Sequence, residues 1–299
     1  MNRVSTATLQ NSTMTAALQA QANYAQAATQ EASGLVSQTY GGLGSEAGTL
    51  LDLEDELNQA SAYATEATSV GNRVQSMYSA IGTIVSAMTT LESTLSSAVS
   101  GSTTGNTTTS LNSAGTAALD AIEQALDTQY GSDYVFSGAK TDTAPVNLSG
   151  YTASVDTANT SYYQGDDAVA SVRISSQQSV SYGVTADNSA FEEALRAAYV
   201  ASTASISDTT TIEDAYGVAK SAITALSSLQ AEVSQSASTL SNEADRESSC
   251  VTFMTSAVSD IKNVDTANIA AQVSAYQSQL TASYDAVAKV LKISLSSYL

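Results

Sequence analysis

Apolar residues recur every three or four positions along most of the chain, which is the spacing of one face of an α-helix. The pattern predicts a helix of low hydrophobicity over 4–38, a long helix over 50–98 and a shorter helix over 111–129. It resumes near residue 190, and a second long helix over 212–261 and a terminal helix over 267–299 follow. The chain is therefore predicted to be mainly α.

The two long helices carry sustained stripes of apolar residues. On the first long helix the stripe continues for about seven heptads, which is typical of a helix that pairs with another helix. The simplest arrangement pairs the two long helices antiparallel in a helical coiled-coil or bundle rod, and pairs the two terminal helices with each other. The candidate core residues of the rod are Leu53, Leu57, Val74, Ile81, Met88, Leu91, Leu226, Leu229, Val233 and Leu240.

The two terminal segments combine apolar stripes with a high content of alanine. The stripe of the last segment continues almost to residue 299, and alanine dominates residues 4–38. Because small side chains bury little surface, a pair of such helices gains little stability on its own. The candidate assembly-interface residues are Met14, Leu18, Tyr24, Leu35, Ile269, Val273, Tyr276, Leu280, Tyr284, Val287, Leu291 and Leu295.

The character of the sequence changes between the two long helices. Short β-prone runs such as "YTASV", "ASVRISS" and "SVSYGV" are separated there by Gly, Asp and Asn, and the segment contains Pro145. This predicts a small β-rich outer domain inserted between helices. The expected domains are 1–42 with 264–299 as terminal helices, 43–133 with 190–263 as the rod, and 134–189 as the outer domain.

Charge and composition exclude several classes of function. With 29 acidic and 10 basic residues, the net charge of −19 argues against nucleic-acid binding and against anionic membranes. No run of about 18 apolar residues is present, so no membrane insertion is expected. The absence of histidine removes the His-based catalytic triads and the usual zinc sites. We therefore expect no enzymatic activity, no cofactor and no metal.

Two groups of residues in the inserted segment have a functional and a structural interpretation. The acids Asp142, Asp156, Asp166 and Asp167 could bind calcium, but their spacing does not match an EF-hand loop, which favours solvated turn residues. The tyrosines could form a glycan-binding platform or the core of a small sheet, and the core is the favoured interpretation. These tyrosines are Tyr151, Tyr162, Tyr163 and Tyr182.

Three stretches resemble the bacterial flagellin family, which includes the hook–filament junction protein, the third hook-associated protein. The start "MNRVSTATLQNSTM" resembles the amino terminus of the family. The stretch "LDTQYGSDYVFSGAKTDTAPV", residues 126–146, is similar to the family's passage from the helical core into the outer domain. The end of the chain, from Asn263, resembles the family's carboxy-terminal segment.

The resemblance implies a structural, non-enzymatic subunit of the bacterial flagellum. The expected assembly is a homo-oligomeric helical filament whose terminal helices pack around a central channel. The implied location is extracellular, after export through the flagellum without a cleaved signal peptide. Hook-associated proteins, cap proteins and an export chaperone are the implied partners. Filament flagellin is the main interpretation and hook–filament junction protein is the alternative. A cell-surface adhesin that uses the β insert is the alternative from another class.

The sequence predicts that residues 1 to about 40 and 265–299 fold only on assembly. An alanine-rich helix pair cannot by itself offset an ordering cost of roughly 1–2 kcal/mol per residue. We expect hydrogen exchange on the free chain, followed by mass spectrometry, to show rapid exchange in both segments and slow exchange in the long helices. Protected amides in the two terminal segments of the free chain would contradict this prediction.

Overall fold

The computed structural model describes the backbone of residues 2–100 and 105–296, and the side chains of residues 8–100 and 108–292. Within the described residues the chain forms six α-helices, which confirms the mainly-α prediction. They are α1 (Asn2–Ser33), α2 (Glu46–Val99), α3 (Gly105–Leu126), α4 (Ser189–Thr203), α5 (Thr209–Lys262) and α6 (Thr266–Ser296). Among these helices, none is long and apolar enough to cross a membrane.

The helices belong to two compact units. The terminal unit comprises Met1–Gln59 and Cys250–Leu299, and the central unit comprises Ala60–Ser249. The long helices α2 and α5 each contribute residues to both units. Each unit has its own packing, and the two are described separately below.

In the terminal unit α1 packs against α6, which confirms the predicted pairing of the terminal helices. Two backbone hydrogen bonds join the end of α1 to the start of α6: the Val264 N–H donates to the Gly34 carbonyl at 2.9 Å, and the Val36 N–H donates to the Lys262 carbonyl at 2.8 Å. Gly34 has φ of 70°, a left-handed conformation that glycine adopts easily. We call this pair of hydrogen bonds the clasp. Because the clasp joins the end of one helix to the start of the other, the two helices are antiparallel.

In the central unit α2 packs antiparallel to α5. The Gln230 side-chain amide donates to the Tyr78 carbonyl at 3.4 Å, and Gly71 of α2 faces Leu240 of α5, so rising numbers on one helix meet falling numbers on the other. This confirms the antiparallel arrangement predicted for the long helices in this part of the chain. The facing apolar stripes are buried in one continuous core that also includes residues of α3, α4 and the inserted segment.

Helices α3 and α4 approach each other very closely at Gly115. A Cβ atom at this position would lie 2.3 Å from the backbone nitrogen of Ser202 and 2.7 Å from the carbonyl carbon of Ala201. Both neighbours are backbone atoms and cannot rotate away. Gly115 therefore sets the distance between α3 and α4.

The segment between α3 and α4 contains less strand than the sequence predicts. Its strands are β1 (Gln129–Tyr130), β2 (Asp133–Tyr134), β3 (Ser171–Arg173) and β4 (Ser179–Ser181). β1 pairs with β2 and β3 pairs with β4, both antiparallel, as separate two-stranded sheets. Gly, Asn, Asp and Ser recur every few residues, so turns interrupt each β-prone run before a longer ladder forms. The fold of the segment depends on side-chain packing more than on sheet hydrogen bonds.

Two glycine substitutions should change stability in opposite directions. Gly115→Ala should destabilise the chain by more than the ~1 kcal/mol that alanine gains in helix propensity, because the new methyl group meets the backbone of α4. Gly217 is an exposed residue of α5, and no described atom lies within 4 Å of a Cβ atom placed there. Gly217→Ala should therefore stabilise the chain by about 0.5–1 kcal/mol. Urea unfolding followed by circular dichroism measures both, and equal effects of the two variants would contradict the close packing of α3 on α4.

Candidate assembly surface

The face of α1 that packs on α6 is made of small residues. Ala17, Ala20 and Ala27 are almost fully buried, while Tyr24 is half-buried. These positions repeat at spacings of three and four, so they form a heptad seam along the helix. Alanine lets two helix backbones approach closely but contributes little buried apolar area. The two helices therefore pack closely along this seam, but the contact contributes little to the free energy of folding.

Two larger apolar residues of α1, Met14 and Leu18, lie beside this seam. Met14 is 48% exposed and Leu18 is 59% exposed. Leu35, next to the clasp, is half-buried and forms an antiparallel bridge with Asn263. A larger side chain at position 17 or 20 would push the helices apart, so the fold places the larger residues on the outer face.

On α6 the predicted stripe divides into two sets. Ile269 is buried, and Val273, Tyr276, Leu280 and Val287 are half-buried against α1. Tyr284 and Leu291 are 50% and 53% exposed, and their places on the half-buried face are taken by the preceding residues Ser283 and Val290. The side chain of Leu295 lies outside the described residues. The packed face therefore follows alternating steps of four and three, and two large side chains point away from it.

The rod-core candidates are distributed over both units. In the terminal unit Leu53 and Leu57 are half-buried, while Leu50, three residues earlier, is fully buried. The candidates in the central unit all lie in its core with at most 7% exposure: Val74, Ile81, Met88, Leu91, Leu226, Leu229, Val233 and Leu240.

Exposed large apolar residues are concentrated in the terminal unit. Among the described residues, eight of the eleven strongly exposed ones belong to it, although it is the smaller unit. Sequence reasoning missed four of them, because they lie off the main stripes of their helices or in a linker. These four are Leu9, Tyr40, Leu51 and Phe253. An apolar surface of this kind marks an interaction site when its members lie close together.

A polar cluster holds together the part of the terminal unit near the clasp. The Tyr40 hydroxyl donates to Glu54 Oε2 at 2.8 Å, and Lys262 Nζ donates to Glu54 Oε1 at 2.9 Å. The hydrogen bond from Lys262, followed by that from Tyr40, lowers the pKa of Glu54, and the same bond from its side raises the pKa of Lys262. The ion pair is therefore fully formed at neutral pH. The cluster of Tyr40, Glu54 and Lys262 connects the linker after α1 to α2 and α5.

The tyrosines of the inserted segment form a core and do not form a binding platform. Tyr151 and Tyr162 are buried, and Tyr151 packs edge-to-face on both Tyr162 and Tyr199 with ring centroids 5.6 Å apart. The Tyr162 hydroxyl donates to the Ala186 carbonyl at 2.8 Å. Tyr163 and Tyr182 are half-buried. The core interpretation is confirmed for Tyr151 and Tyr162, although both lie outside the two small sheets, and the glycan-platform interpretation is wrong for these two residues.

A buried ion pair attaches the loop around residues 151–163 to α4. Glu192, 3% exposed, accepts from the Asn159 backbone N–H at 2.9 Å and from Arg196 Nε at 3.2 Å. Arg196 also donates to the Val155 carbonyl at 2.5 Å. This network satisfies backbone groups of a loop that lies outside the two small sheets.

The acids of the insert serve backbone groups or face solvent. Asp166 accepts from the N–H groups of Ala139 and Ala168 at 2.8 and 3.1 Å, and these bonds hold its pKa below the usual range. Asp142, Asp156 and Asp167 are exposed. Within the described ranges, no three metal-ligating side chains come together.

Two solved structures share this helical architecture. A structure described as a flagellar hook-associated protein from Vibrio parahaemolyticus matches with a TM-score of 0.61 and 16% identity, covering 75% of this chain and 99% of that chain. FlgL of Bacillus cereus matches with a TM-score of 0.55 and 12% identity, covering 70% of this chain and 98% of that chain. Neither a protein-family model nor a curated protein matches the sequence. At these identities the likeness shows a shared fold.

The tyrosine core predicts a loss of stability at alkaline pH. Burial raises the pKa of Tyr151 to about 12 and also raises the pKa of Tyr162 and Tyr163, whereas an unfolded tyrosine ionises near 10. Above pH ~10 the unfolded state therefore loses protons before the folded state, and the free energy of unfolding falls as pH rises. Tyrosine ionisation, followed by ultraviolet absorbance, should coincide with unfolding for these phenols.

Tyr151→Phe supplies a matched test of this explanation. The Tyr151 hydroxyl is buried without a hydrogen-bond partner among the residues that the structure describes, so its removal should not destabilise the chain at pH 7 and should make the alkaline loss shallower. Tyr130→Phe, at a more exposed position, should change neither. An unchanged alkaline profile for Tyr151→Phe would exclude Tyr151 as a cause.

Proposed function

We propose that this chain is a structural subunit of the bacterial flagellum, of the hook-associated kind, without enzymatic activity or cofactor. The proposal rests on the α1–α6 pair, in which buried alanines form the seam of α1 and larger apolar residues of both helices are exposed. Residues 1–42 and 264–299 are then the layer that contacts neighbouring subunits. The shared fold with two flagellar proteins supports the same conclusion.

The energetics of the outward residues favour assembly over a stable monomer. Fully burying a large aliphatic or aromatic side chain contributes about 1.5–3 kcal/mol. Met14, Leu18, Tyr284 and Leu291 leave much of this contribution unused within one chain, since each is about half exposed. Contact with neighbouring subunits would bury these side chains and so supply the remaining free energy. It would also stabilise the α1–α6 pair, whose alanine seam contributes little. Folding of the terminal helices and assembly are then coupled.

Two places in the flagellum fit this proposal. The junction between hook and filament is the first candidate, because the two solved structures are a hook-associated protein and FlgL. Filament flagellin is the second, because the same outward residues could serve a continuous polymer of identical subunits. Either role implies export to the cell exterior, with hook-associated or cap proteins and an export chaperone as partners. The adhesin alternative loses its main basis, because Tyr151 and Tyr162 are buried.

Charged substitutions on the outward face, which comprises Met14, Leu18, Tyr284 and Leu291, should weaken binding to flagellar ends. We expect Leu18→Glu with Leu291→Glu to leave the fold of the central unit of the free chain unchanged, since both residues belong to the terminal unit. Because each leucine is about half exposed in the free chain, its burial at a contact can contribute about half of the 1.5–3 kcal/mol of full burial, and the loss of both should weaken association at least ~10-fold. Electron microscopy of isolated hooks and filaments incubated with labelled protein measures the binding.

The matched control places the same charges on the same helices at exposed polar positions. Gln19→Glu with Gln279→Glu, about 100° or more around each helix from Leu18 and Leu291, should bind as the unmodified chain does. If the leucine variant binds normally, the outward face is not the assembly surface. If the unmodified chain binds neither hooks nor filaments, the proposed flagellar role fails. Addition to hook ends alone favours the junction role, and continuous growth favours the filament role.

A further inference from the structure

One residue, Lys262, takes part in both the clasp and the polar cluster of the terminal unit. Its backbone carbonyl accepts from the Val36 N–H at 2.8 Å, and its side-chain ammonium donates to Glu54 Oε1 at 2.9 Å. The Tyr40 hydroxyl donates to the other oxygen of the same carboxylate, Oε2, at 2.8 Å. We call Tyr40, Glu54 and Lys262 the latch. Because Lys262 belongs to both groups, the latch holds the clasp beside α2.

The linker between α1 and α2 is held at two places, by the clasp at residues 34–36 and by the latch at Tyr40. Both backbone groups of Val36 are bonded, since the Gln30 side-chain amide donates to its carbonyl at 2.8 Å. Between these places the Ser37 hydroxyl donates to the Thr39 carbonyl at 2.9 Å and accepts from the Thr39 N–H at 3.1 Å. None of these hydrogen bonds involves the alanine seam of α1.

The position of the latch lowers the entropic cost of forming the clasp. The clasp residues 34 and 264 are about 230 positions apart, and the entropy lost on closing a loop rises with its length. When α2 and α5 are paired, the ion pair of Glu54 and Lys262 already holds residue 262 beside α2. The clasp then closes only the short linker from residue 34 to the start of α2 at Glu46.

The clasp also lies where both terminal helices are capped. Gly34 ends α1 in a left-handed conformation, and its N–H donates to the last turn of that helix at 2.8 Å. Asp265 Oδ1 accepts from two N–H groups in the first turn of α6 at 2.9 and 3.1 Å. Because the first turn of a helix is the costly one to form, a fixed and capped end favours growth of the rest. Ala27 and Ile269 are the buried residues nearest to the clasp on the two helices.

We propose that the latch keeps the clasp formed in the free chain, and that α1 and α6 grow from the clasp when the terminal unit meets neighbouring subunits. The clasp is then a preformed starting point that sets the register of the two helices, whose folding is completed on assembly. The sequence alone predicts a disordered free chain up to about residue 40, whereas this inference places the boundary at Gly34. It rests on the proposed function for the assembled state only, because the latch is a property of the free chain.

Hydrogen exchange of individual amides in the free chain tests the latch. The N–H groups of Val36 and Val264 donate the two hydrogen bonds of the clasp. We expect these two amides to exchange at least ~10-fold more slowly than the amides of the α1 seam, such as those of Ala17 and Ala20. Nuclear magnetic resonance of the isotopically labelled chain at neutral pH resolves them.

Two substitutions remove the latch without changing the backbone of the clasp. Glu54→Gln removes the charge of the carboxylate, which weakens both of its hydrogen bonds. Lys262→Met removes the ammonium and keeps an unbranched side chain. Each variant should raise exchange at both clasp amides by about the same ~10-fold, to the rate of the seam. The double variant should do no more than either single one, because the two side chains act through one contact.

Matched controls make the same two changes at exposed positions of the terminal unit. Glu56→Gln and Lys289→Met should leave exchange at the clasp unchanged. Slow exchange of core amides in the central unit, such as those of Met88 and Leu226, shows that every variant is folded there.

A disulfide can replace the latch. Leu35 and Asn263 form an antiparallel bridge between the two hydrogen bonds of the clasp, a pairing in which the Cα atoms are about 4.5 Å apart. This distance suits a disulfide. In a Cys250→Ser background, Leu35→Cys with Asn263→Cys should restore slow exchange at the clasp of the Lys262→Met chain when oxidised, and should lose it again when reduced.

Each outcome decides the proposal. Slow exchange at the clasp that is lost in both latch variants and restored by the disulfide supports it. Exchange at the clasp of the unmodified chain that is as fast as in the seam overturns it, and so does protection that survives Glu54→Gln and Lys262→Met. Equally slow exchange at the clasp and in the seam overturns it too, because the whole helix pair is then folded without neighbours.

The latch and the proposed flagellar role fail separately. A chain that fails the exchange test but binds hook ends retains the flagellar role and excludes the latch. A chain that passes the exchange test but binds neither hooks nor filaments retains the latch and excludes the flagellar role.

Discussion

The close contact between α1 and α6 is the interaction on which the rest of the terminal unit depends. Its seam is built from alanines, so the two backbones can approach closely while little apolar surface is removed from water. The larger apolar side chains are excluded from the seam by their size and are presented outward. A single constraint, the narrow space between two helices, therefore explains both the weakness of the pair and its apolar exterior. The same exterior is what a neighbouring subunit would contact.

The central unit is stabilised in a different way, by a large apolar core of its own. Its antiparallel pair of α2 and α5 buries Met88, Leu91 and Leu226, large residues that fill a thick core shared with α3, α4 and the tyrosines of the insert. The stability of this unit is expected to come mainly from its own residues. The chain thus combines a unit with a large core of its own with one whose larger apolar side chains are left partly exposed.

The helices could be predicted from the sequence because heptad spacing is a local signal, and their antiparallel pairing followed from the order of the segments. The orientation of individual side chains could not be predicted as well. A stripe drawn through the largest residues follows 3.6 residues per turn, whereas two packed helices meet along 3.5, so Tyr284 and Leu291 leave the contact. Ala17 and Ala20 could not be identified as buried seam residues from the sequence, because alanine is common throughout this segment. The bond between Glu192 and Asn159 depends on loop folding, which no spacing rule describes.

The clasp has a consequence for how this chain can change over evolutionary time. Its two backbone hydrogen bonds between residues 34–36 and 262–264 fix a common origin from which both α1 and α6 are measured. One residue inserted in α6 alone would move every later side chain by about 1.5 Å along the axis and by about 100° around it. Leu291 would then stand at a new height relative to Leu9. Insertions and deletions in these two helices should therefore persist only as compensating pairs, so that their lengths are inherited together.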